Sequence, residues 1–288
     1  MSFKIAIASG KGGTGKTTVS VNLSNLLNRN RYNTLLADCD VEEPNSALFF
    51  SEKQEMEPKE CFQKIPEIDS EKCTFCGKCA EYCEFNAISI IKNLKYQKVH
   101  SDLCHSCGAC SVVCKHGAIK EIDHPIGSIQ HYRIKDDLNV VEGRLKIGSA
   151  MQTMLINQVK EFIDNKAEIL VFDAPPGTSC PMVETVADAD FVVLVTEPTP
   201  FGLYDLKLAV DVVKQLGVPF GVFVNKAGLG TDKMYEYLKA EEIMLLGEVP
   251  FDRNYASKYA EGKLLDTKES SMDSYYEYLV DEIKRRLN

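Results

Sequence analysis

Residues 10–17 read GKGGTGKT. This stretch matches the pattern G-x-x-x-x-G-K-[S/T], in which glycines let backbone N–H groups approach phosphate oxygens. Lys16 is expected to reach the β- and γ-phosphates of a nucleotide, and the hydroxyl of Thr17 is expected to bind Mg²⁺. The sequence therefore predicts a nucleotide-binding loop made of Gly10, Lys11, Gly12, Gly13, Thr14, Gly15, Lys16, Thr17 and Thr18.

The segments around this loop have the pattern that such a loop requires. An apolar run, FKIAIAS at 3–9, precedes it, and a helical pattern, VSVNLSNLLNRN at 19–30, follows it. Further apolar runs end in polar or glycine-containing residues: NTLLADCD at 33–40, AEILVFDAPPG at 167–177, ADFVVLVTEPTP at 189–200 and VPFGVFVNKAG at 218–228. Strands that alternate with helices predict an α/β fold with a doubly wound, mostly parallel sheet, whose ligands bind at the carboxyl ends of the strands.

The composition limits the partners and the location of the chain. The 288 residues carry a formal net charge of −9, which argues against nucleic acid or anionic lipid, because both require a basic footprint. No apolar run reaches about eighteen residues, so no membrane span is predicted, and the first residues do not resemble a signal peptide. We therefore expect a cytoplasmic protein. A helix predicted at about 270–288 is expected to dock on its own domain through an apolar stripe: Met272, Tyr276, Leu279, Ile283 and Leu287.

Eight of the eleven cysteines lie in two copies of one motif. CTFCGKCAEYCEFNAI at 73–88 reappears as CHSCGACSVVCKHGAI at 104–119, offset by 31 residues. Each copy matches C-x₂-C-x₂-C-x₃-C, the spacing of bacterial ferredoxins, in which the fourth cysteine of each run ligates the other cluster. This spacing predicts two [4Fe–4S] clusters, one on Cys73, Cys76, Cys79 and Cys114, and the other on Cys104, Cys107, Cys110 and Cys83.

The alternative for these motifs is a pair of Cys₄ zinc sites, although zinc more often uses two separated C-x₂-C pairs. Where bacterial ferredoxins usually have a proline after the fourth cysteine, this chain has Glu84 and Lys115, which leaves the exposure and potential of the clusters open. Of the cysteines outside the motifs, Cys39 and Cys61 are expected to be packing residues.

The cysteine-rich segment interrupts the α/β pattern. Residues 51–60, SEKQEMEPKE, are charged and aperiodic and are predicted to form a linker. The α/β pattern resumes after about residue 135, with an extended stretch and a helix at about 149–165. We therefore predict an α+β ferredoxin-like domain at 61–131, inserted between the two parts, 1–60 and 132–288, of a P-loop domain.

A second lysine in the loop, Lys11, gives KGGTGKT, and with this motif the chain resembles the superfamily of MinD, ParA, Mrp and the nitrogenase iron protein. The resemblance covers about 1–50 and 135–288. It implies a nucleotide-sandwich homodimer, or a heterodimer with a related ATPase, in which Lys11 acts on the partner's phosphates. LLADCD at 35–40 resembles the first switch of the family, which implies that Asp40 positions the attacking water and that Asp38 holds a water on Mg²⁺.

Three further motifs extend the resemblance. VFDAPPGTS at 171–179 resembles the Walker B strand, which implies that Asp173 faces the Mg²⁺ shell. FVNKAG at 223–228 and VPFD at 249–252 resemble the base-binding segments, which implies base contacts from Asn225, Pro250 and Asp252. Since Gly228 stands where a guanine-reading Asn-Lys-x-Asp motif would have aspartate, ATP and ADP are the expected nucleotides.

Three functions follow from the two predicted sites. In the first, which we favour, ATP hydrolysis by Lys11, Lys16 and Asp40 switches a dimer and gates electron flow from the clusters to a redox partner protein. The second is an iron–sulfur cluster carrier ATPase of the Mrp type, although the C-x-x-C of those carriers is absent outside the insertion. The third is a positioning ATPase with structural clusters. Cys180 is expected to be a structural thiol rather than a ligand that bridges a dimer as in the nitrogenase iron protein.

Overall fold

The structure is a computed structural model that describes residues 2–135, 137–163, 166–264 and 273–287. The chain in it divides into two units. The first, which we call the sheet unit, comprises residues 1–58, 129–144 and 156–288. The second, which we call the cysteine unit, comprises residues 59–128 and 145–155.

The strands, in chain order, are β1 (Phe3–Ala8), β2 (Thr34–Asp38), β3 (Gln54–Glu55), β4 (Lys59–Ile68), β5 (Ile88–Ile91), β6 (Tyr96–Val99), β7 (Ile119–Lys135), β8 (Leu138–Leu145), β9 (Ile169–Asp173), β10 (Phe191–Thr196), β11 (Phe220–Ala227) and β12 (Leu245–Pro250). The helices are α1 (Lys16–Arg29), α2 (Lys78–Glu81), α3 (Ala109–Val113), α4 (Gln152–Ile163), α5 (Cys180–Val186), α6 (Pro200–Leu216), α7 (Lys233–Ala240), α8 (Arg253–Ala260) and α9 (Asp273–Leu287).

The sheet unit is organised around a mostly parallel sheet with the strand order β12-β11-β10-β1-β9-β2-β8-β7-β3. Every neighbouring pair from β12 to β8 is parallel, whereas β3 is antiparallel to β7. Because the chain crosses over between parallel strands, the strands β1, β9 and β2 end side by side at one edge of the sheet. The predicted α/β fold with a mostly parallel sheet is confirmed.

Apolar side chains on the central strands and on the helices form the core of the sheet unit. Parallel strands covered on both faces are expected to be apolar throughout, and β9 and β10 are buried along their whole length. The terminal helix α9 adds Tyr276, Leu279 and Ile283 to the same core. Its predicted docking on its own domain is therefore confirmed, while Met272 lies outside the described residues.

The predicted linker at 51–60 is wrong, because this segment contains β3 and the start of β4. In β4 the buried positions include Cys61, Gln63 and Ile65. The alternation that marks a half-buried strand was hidden because one of its inward-facing residues is a glutamine. Strand β7 was also not predicted, since Pro125 and Gly127 lie within it and both residues usually interrupt strands.

In the cysteine unit, β4 pairs with β7, and β5 pairs with β6 in an antiparallel hairpin. The sequence repeat recurs in the backbone at the 31-residue offset. Phe75 and Ser106 both have left-handed φ values, of 53° and 56°. Gly77 and Gly108 follow with φ values of 83° and 71°, immediately before α2 and α3. The two cysteine motifs are therefore wound by the same succession of turns.

Candidate functional site

The motif at 10–17 leads from β1 into the first turn of α1, and its loop is held in a tight conformation. A Cβ on Gly10 would lie 2.0 Å from the carbonyl oxygen of Asp205, so only glycine fits there. Gly15 has a φ of 93°, and the hydroxyl of Ser9 donates a hydrogen bond of 2.6 Å to the carbonyl of Lys11. These contacts shape the loop as the motif predicts.

Two carboxylates lie at neighbouring strand ends beside the loop. Asp38 ends β2 and Asp173 ends β9, and the two residues are paired in register. Asp38 is buried and accepts hydrogen bonds from the backbone N–H groups of Asp40 at 3.0 Å, and of Asn45 and Ser46 at 2.9 Å. The strand order therefore brings together residues that are far apart in the sequence.

Asp173 has one carboxylate oxygen satisfied and one available. Its Oδ1 accepts a hydrogen bond of 3.0 Å from the hydroxyl of Ser20, which sequence analysis did not identify. Its Oδ2 is buried and has no hydrogen-bond partner among the described residues.

The negative charge around these strand ends is poorly compensated. Burial is the main cause that raises the pKa of Asp173 to about 7 and the pKa of Asp40 to about 6, and the negative charge of Asp38 adds to both shifts. The positive charge of Lys16 opposes both shifts. Burial also raises the pKa of Asp38. Mg²⁺ is usually held by one or two carboxylates together with substrate phosphates, so this set of residues fits a magnesium–nucleotide site.

Lys11 is engaged within its own chain. Its Nζ lies 2.6 Å from Oε1 of Glu197, and Nζ of Lys226 lies 3.0 Å from Oε2 of the same carboxylate. Lys226 also donates a hydrogen bond of 2.9 Å to the carbonyl of Gly13. Although burial acts in the opposite direction, the two lysines lower the pKa of Glu197. Sequence analysis missed Glu197, and its place just after β10, at the carboxyl edge of the sheet, was the available signal.

An open cavity adjoins the loop at Gly13 and Gly15. It brings together the three residues predicted to contact the base: Asn225, Pro250 and Asp252. Two tyrosines that sequence analysis missed, Tyr255 and Tyr259, also line it. The side-chain amide of Asn225 donates a hydrogen bond of 2.8 Å to the carbonyl of Thr14, so this residue also supports the loop.

The cysteine unit contains two cavities, and each combines cysteines from both motifs. One is lined by four of them: Cys83, Cys104, Cys107 and Cys110. The other is lined by the remaining four: Cys73, Cys76, Cys79 and Cys114. In each set the fourth cysteine of one motif joins the first three of the other motif.

Backbone N–H groups point at several of these sulfurs. Ala87 donates to Sγ of Cys83 at 3.2 Å, and its counterpart in the repeat, Ala118, donates to Sγ of Cys114 at 3.4 Å. A further donor, the N–H of Phe75, lies 3.4 Å from Sγ of Cys73. Within the described ranges, no three His, Cys, Asp or Glu side chains are grouped as a ready-made site for a metal ion.

The other three cysteines differ in exposure. Cys39 and Cys61 are buried, as packing residues would be. Cys180 is exposed, at the first position of α5. Across the part of the chain that the structure describes, no helix has the length and apolar character needed to cross a bilayer.

Known proteins resemble this chain in both sequence and structure. Two uncharacterized proteins of Methanocaldococcus jannaschii are 31% and 29% identical to it, over 98% and 96% of this chain and 96% of each relative. An iron–sulfur cluster carrier protein of Aquifex aeolicus is 24% identical over 90% of this chain and 60% of its own length. Among solved structures, the cell division ATPase MinD of Pyrococcus furiosus superposes with a TM-score of 0.61 over 99% of both chains, at 20% identity.

The sequence profile of the CobQ/CobB/MinD/ParA nucleotide-binding domain matches residues 5–265. This match spans nearly the whole chain and includes the loop, the two strand-end aspartates and the base cavity. The chain therefore belongs to the CobQ/CobB/MinD/ParA family and is a MinD/ParA-like ATP-binding protein with a P-loop NTPase fold.

Proposed function

We propose that this protein is an ATPase that couples nucleotide-driven switching of a dimer to electron transfer through two [4Fe–4S] clusters to a partner protein. The observation that carries the proposal is the crossed arrangement of the cysteines, with four thiols around each of two cavities. Clusters of this type supply one-electron carriers when bound.

The residues around the cavities fit such clusters. Thiolates are the ligands that iron–sulfur clusters use, and hydrogen bonds from backbone N–H groups to the sulfurs are among the factors that set their potentials. The N–H groups of Ala87 and Ala118 are positioned for this role at equivalent places in the repeat. We assign the ferredoxin-like insertion to 61–131, between two parts of the ATPase domain at 1–60 and 132–288.

At the nucleotide site we assign the roles by chemistry and position. Lys16 would bind the β- and γ-phosphates, Thr17 and Asp173 would hold Mg²⁺, and Asp38 would act on the metal through a water. Asp40 orients the attacking water. Lys11 leaves Glu197 and reaches the phosphates bound by a second subunit, which makes the active form a homodimer, or a heterodimer with a related ATPase.

Chain connectivity supplies a route for coupling. Asp38 and Asp40 stand at the end of β2, and the chain enters the cysteine unit soon afterwards, at residue 59. A switch that follows the γ-phosphate at Asp40 would pull on the segment that leads to the cysteines.

The second candidate function is the transfer of an assembled cluster to other proteins. It is favoured by the relatives from Aquifex aeolicus, Pyrococcus abyssi and Pyrococcus furiosus that carry the name iron–sulfur cluster carrier protein. Clusters held by four thiolates each are poorly suited to transfer to another protein. We therefore rank this function below electron transfer. A positioning ATPase with structural clusters ranks third.

The test is the reduction potential of the anaerobically purified protein with and without MgATP. We expect MgATP to shift the potential of at least one cluster by tens of millivolts, where about 60 mV is a tenfold change for one electron. The Lys16→Ala variant, which should not bind ATP, should show no shift. An unchanged potential in the wild-type protein, combined with rapid transfer of iron and sulfide to an apo-ferredoxin, would favour the carrier function instead.

A further inference from the structure

The hairpin β5–β6 joins the two cysteine motifs and lies beside both cysteine cavities. Its strands pair from Ile88 with Val99 to Ile91 with Tyr96. On its inner face, Ile88 lines the cavity with Cys83, and Ile90 lines the cavity with Cys73. The other end of this hairpin, residues 91–98, we call the hairpin tip.

Large apolar side chains are exposed on the hairpin tip. Leu94 is 73% exposed, Ile91 47% and Tyr96 43%. At these exposures the three side chains contribute little buried apolar area to the hairpin itself. Exposed apolar residues that are grouped and rimmed by polar residues mark interaction sites more often than isolated ones do.

The charge of the hairpin tip is also unusual for this chain. Residues 85–101 contain three lysines, Lys92, Lys95 and Lys98, and no Asp or Glu. These lysines are exposed, and no ion pair with them is found among the described residues. Two acidic residues at the end of the neighbouring strand β4 and just after it already have ion-pair partners, since Glu67 pairs with Lys120 and Asp69 with Lys72.

The hairpin tip therefore combines an apolar centre with a basic rim, whereas the whole chain carries a net charge of −9. An apolar centre with a polar rim is the usual anatomy of a protein–protein interface. Opposite charges across such a rim raise the rate of encounter more than the final affinity. Nucleic acid and anionic membranes fit less well, because three lysines on an acidic protein are a small basic footprint.

We propose that the hairpin tip is the docking surface for a small acidic electron-carrier protein. The inference rests on the proposed electron-transfer function and names the class of the protein that supplies the electrons, which is distinct from the partner that accepts them, and the surface on which it docks. In each encounter the reduced carrier loses one electron and this protein gains it, so that one carrier molecule is oxidised for each electron delivered. A small patch suits this role, since redox encounters are weak and have small interfaces.

The test uses the intact protein with its iron–sulfur content verified, and a reduced acidic [2Fe–2S] ferredoxin of the plant type as the probe. In Lys92→Glu/Lys95→Glu/Lys98→Glu, the second-order rate of electron transfer should fall about tenfold or more at about 0.01 M ionic strength and approach the wild-type rate at high salt. Leu94→Ser should slow the reaction about threefold at all salt concentrations, because it removes apolar contact area rather than charge.

A charge-matched control separates the surface from the net charge. Lys207→Glu/Lys233→Glu/Lys239→Glu changes three exposed lysines of α6 and α7 in the sheet unit by the same amount. This variant should lose less than about half of the wild-type rate at the same ionic strength. Equal rates in the two triple variants would overturn the inference.

A second readout does not depend on electron transfer. Zero-length carbodiimide cross-linking should join Lys92, Lys95 or Lys98 to carboxylates of the ferredoxin, and peptide mapping should find no link to Lys207. Links confined to other lysines, or binding of duplex DNA or anionic vesicles that the hairpin variant loses, would assign the surface to a different partner. Absence of iron and sulfide from the wild-type protein would instead refute the proposed function itself, whereas dithionite-reducible clusters with an unaffected hairpin variant would refute only the docking surface.

Discussion

The nucleotide loop and the cysteine motifs both depend on glycine, but the surroundings of Gly10 and Gly77 differ. A Cβ on Gly10 would lie 2.0 Å from the backbone oxygen of Asp205, which belongs to α6. A Cβ on Gly77 would meet nothing within 4 Å, and only its φ of 83° favours glycine. The first site is therefore assembled from elements distant in the chain, whereas the second is built from local turns that the sequence repeats.

This difference predicts that substitutions in the two regions impair different properties of the protein. In the sheet unit, a lost contact should affect nucleotide binding and leave iron content unchanged. In the cysteine unit, a lost ligand should remove one cluster and leave nucleotide binding unchanged. A variant of one region that changed the property of the other region would contradict this separation.

Replacement of Lys16 is expected to have the largest effect. Lys16 is only 8% exposed and its positive charge acts on both Asp40 and Asp173, so its removal takes away a buried charge at the strand ends. In Lys16→Ala we expect the dissociation constant for MgATP to rise at least about 100-fold, a loss of about 2.7 kcal/mol or more. Isothermal titration calorimetry measures this constant, and iron analysis should show wild-type content.

The control for this experiment is Lys233→Ala, at an exposed position on α7, which should bind MgATP as the wild type does. A loss of iron in Lys16→Ala would contradict the independence of the two regions. Tight MgATP binding in that variant would contradict the role assigned to the loop.

Asp40→Asn should separate binding from hydrolysis. The variant keeps the shape of Asp40 but removes the carboxylate that we assign to the attacking water. We expect the rate of ATP hydrolysis to fall about 100-fold, within the range for a lost general base, with the MgATP dissociation constant changed by less than about threefold. The control, Glu43→Gln, changes an exposed carboxylate nearby and should hydrolyse ATP normally. Normal hydrolysis by Asp40→Asn would remove the switch assignment.

The two regions also differ in how far the sequence predicted them. The loop motif and the apolar runs were enough to predict the mostly parallel sheet, because strands covered on both faces carry continuous apolar sequence. Glu197 was missed because its position after an apolar run indicates the carboxyl edge of the sheet but does not indicate its contact with Lys11. Strand β4 was missed because an inward-facing Gln63 breaks its alternation, and β7 because Pro125 and Gly127 lie within it.

In the cysteine unit, spacing alone gave the crossed grouping, since the repeat contains both halves of the pattern. In the structure, each cavity is lined by one of the two sets of four thiols that the spacing groups together. Whether iron–sulfur clusters fill them stays a prediction, which variants of the cysteines can test.

Pairs of cysteine substitutions test the crossed ligation. Cys83 and Cys107 line the same cavity, so Cys83→Ser and Cys107→Ser should each lose the cluster of that cavity, which is about half of the bound iron. The combination Cys83→Ser/Cys107→Ser should therefore lose no more iron than Cys107→Ser alone, whereas Cys83→Ser/Cys76→Ser should lose nearly all of it. Iron and sulfide analysis together with EPR of the reduced protein measures both outcomes.

The control is Cys180→Ser, at an exposed position outside both cavities, which should keep its full iron content. If Cys83→Ser/Cys76→Ser retained half of its iron while Cys83→Ser/Cys107→Ser retained none, each motif would ligate its own cluster. A loss of iron in Cys180→Ser would point to a bridging cluster between subunits.

The smallest expected effect belongs to the glycines that begin α2 and α3. Alanine at Gly77 or Gly108 fits sterically, apart from a contact of 3.4 Å between the Gly108 Cβ and Oε1 of Glu121, and the cost is the left-handed backbone. Each substitution should destabilise the cysteine unit by about 1 kcal/mol, with iron content and nucleotide affinity preserved. Urea titration followed through the iron–sulfur absorbance measures this change. Asn86→Gly, which copies the left-handed Gly117 of the second motif, is the matched control and should change stability by less than about 0.5 kcal/mol, because glycine relieves the strain but adds freedom to the unfolded chain.

Gly10→Ala, by contrast, should abolish tight MgATP binding, since the backbone of Asp205 cannot move aside. If Gly77→Ala weakened nucleotide binding as Gly10→Ala does, the two sites would share one cooperative structure rather than two separately built ones.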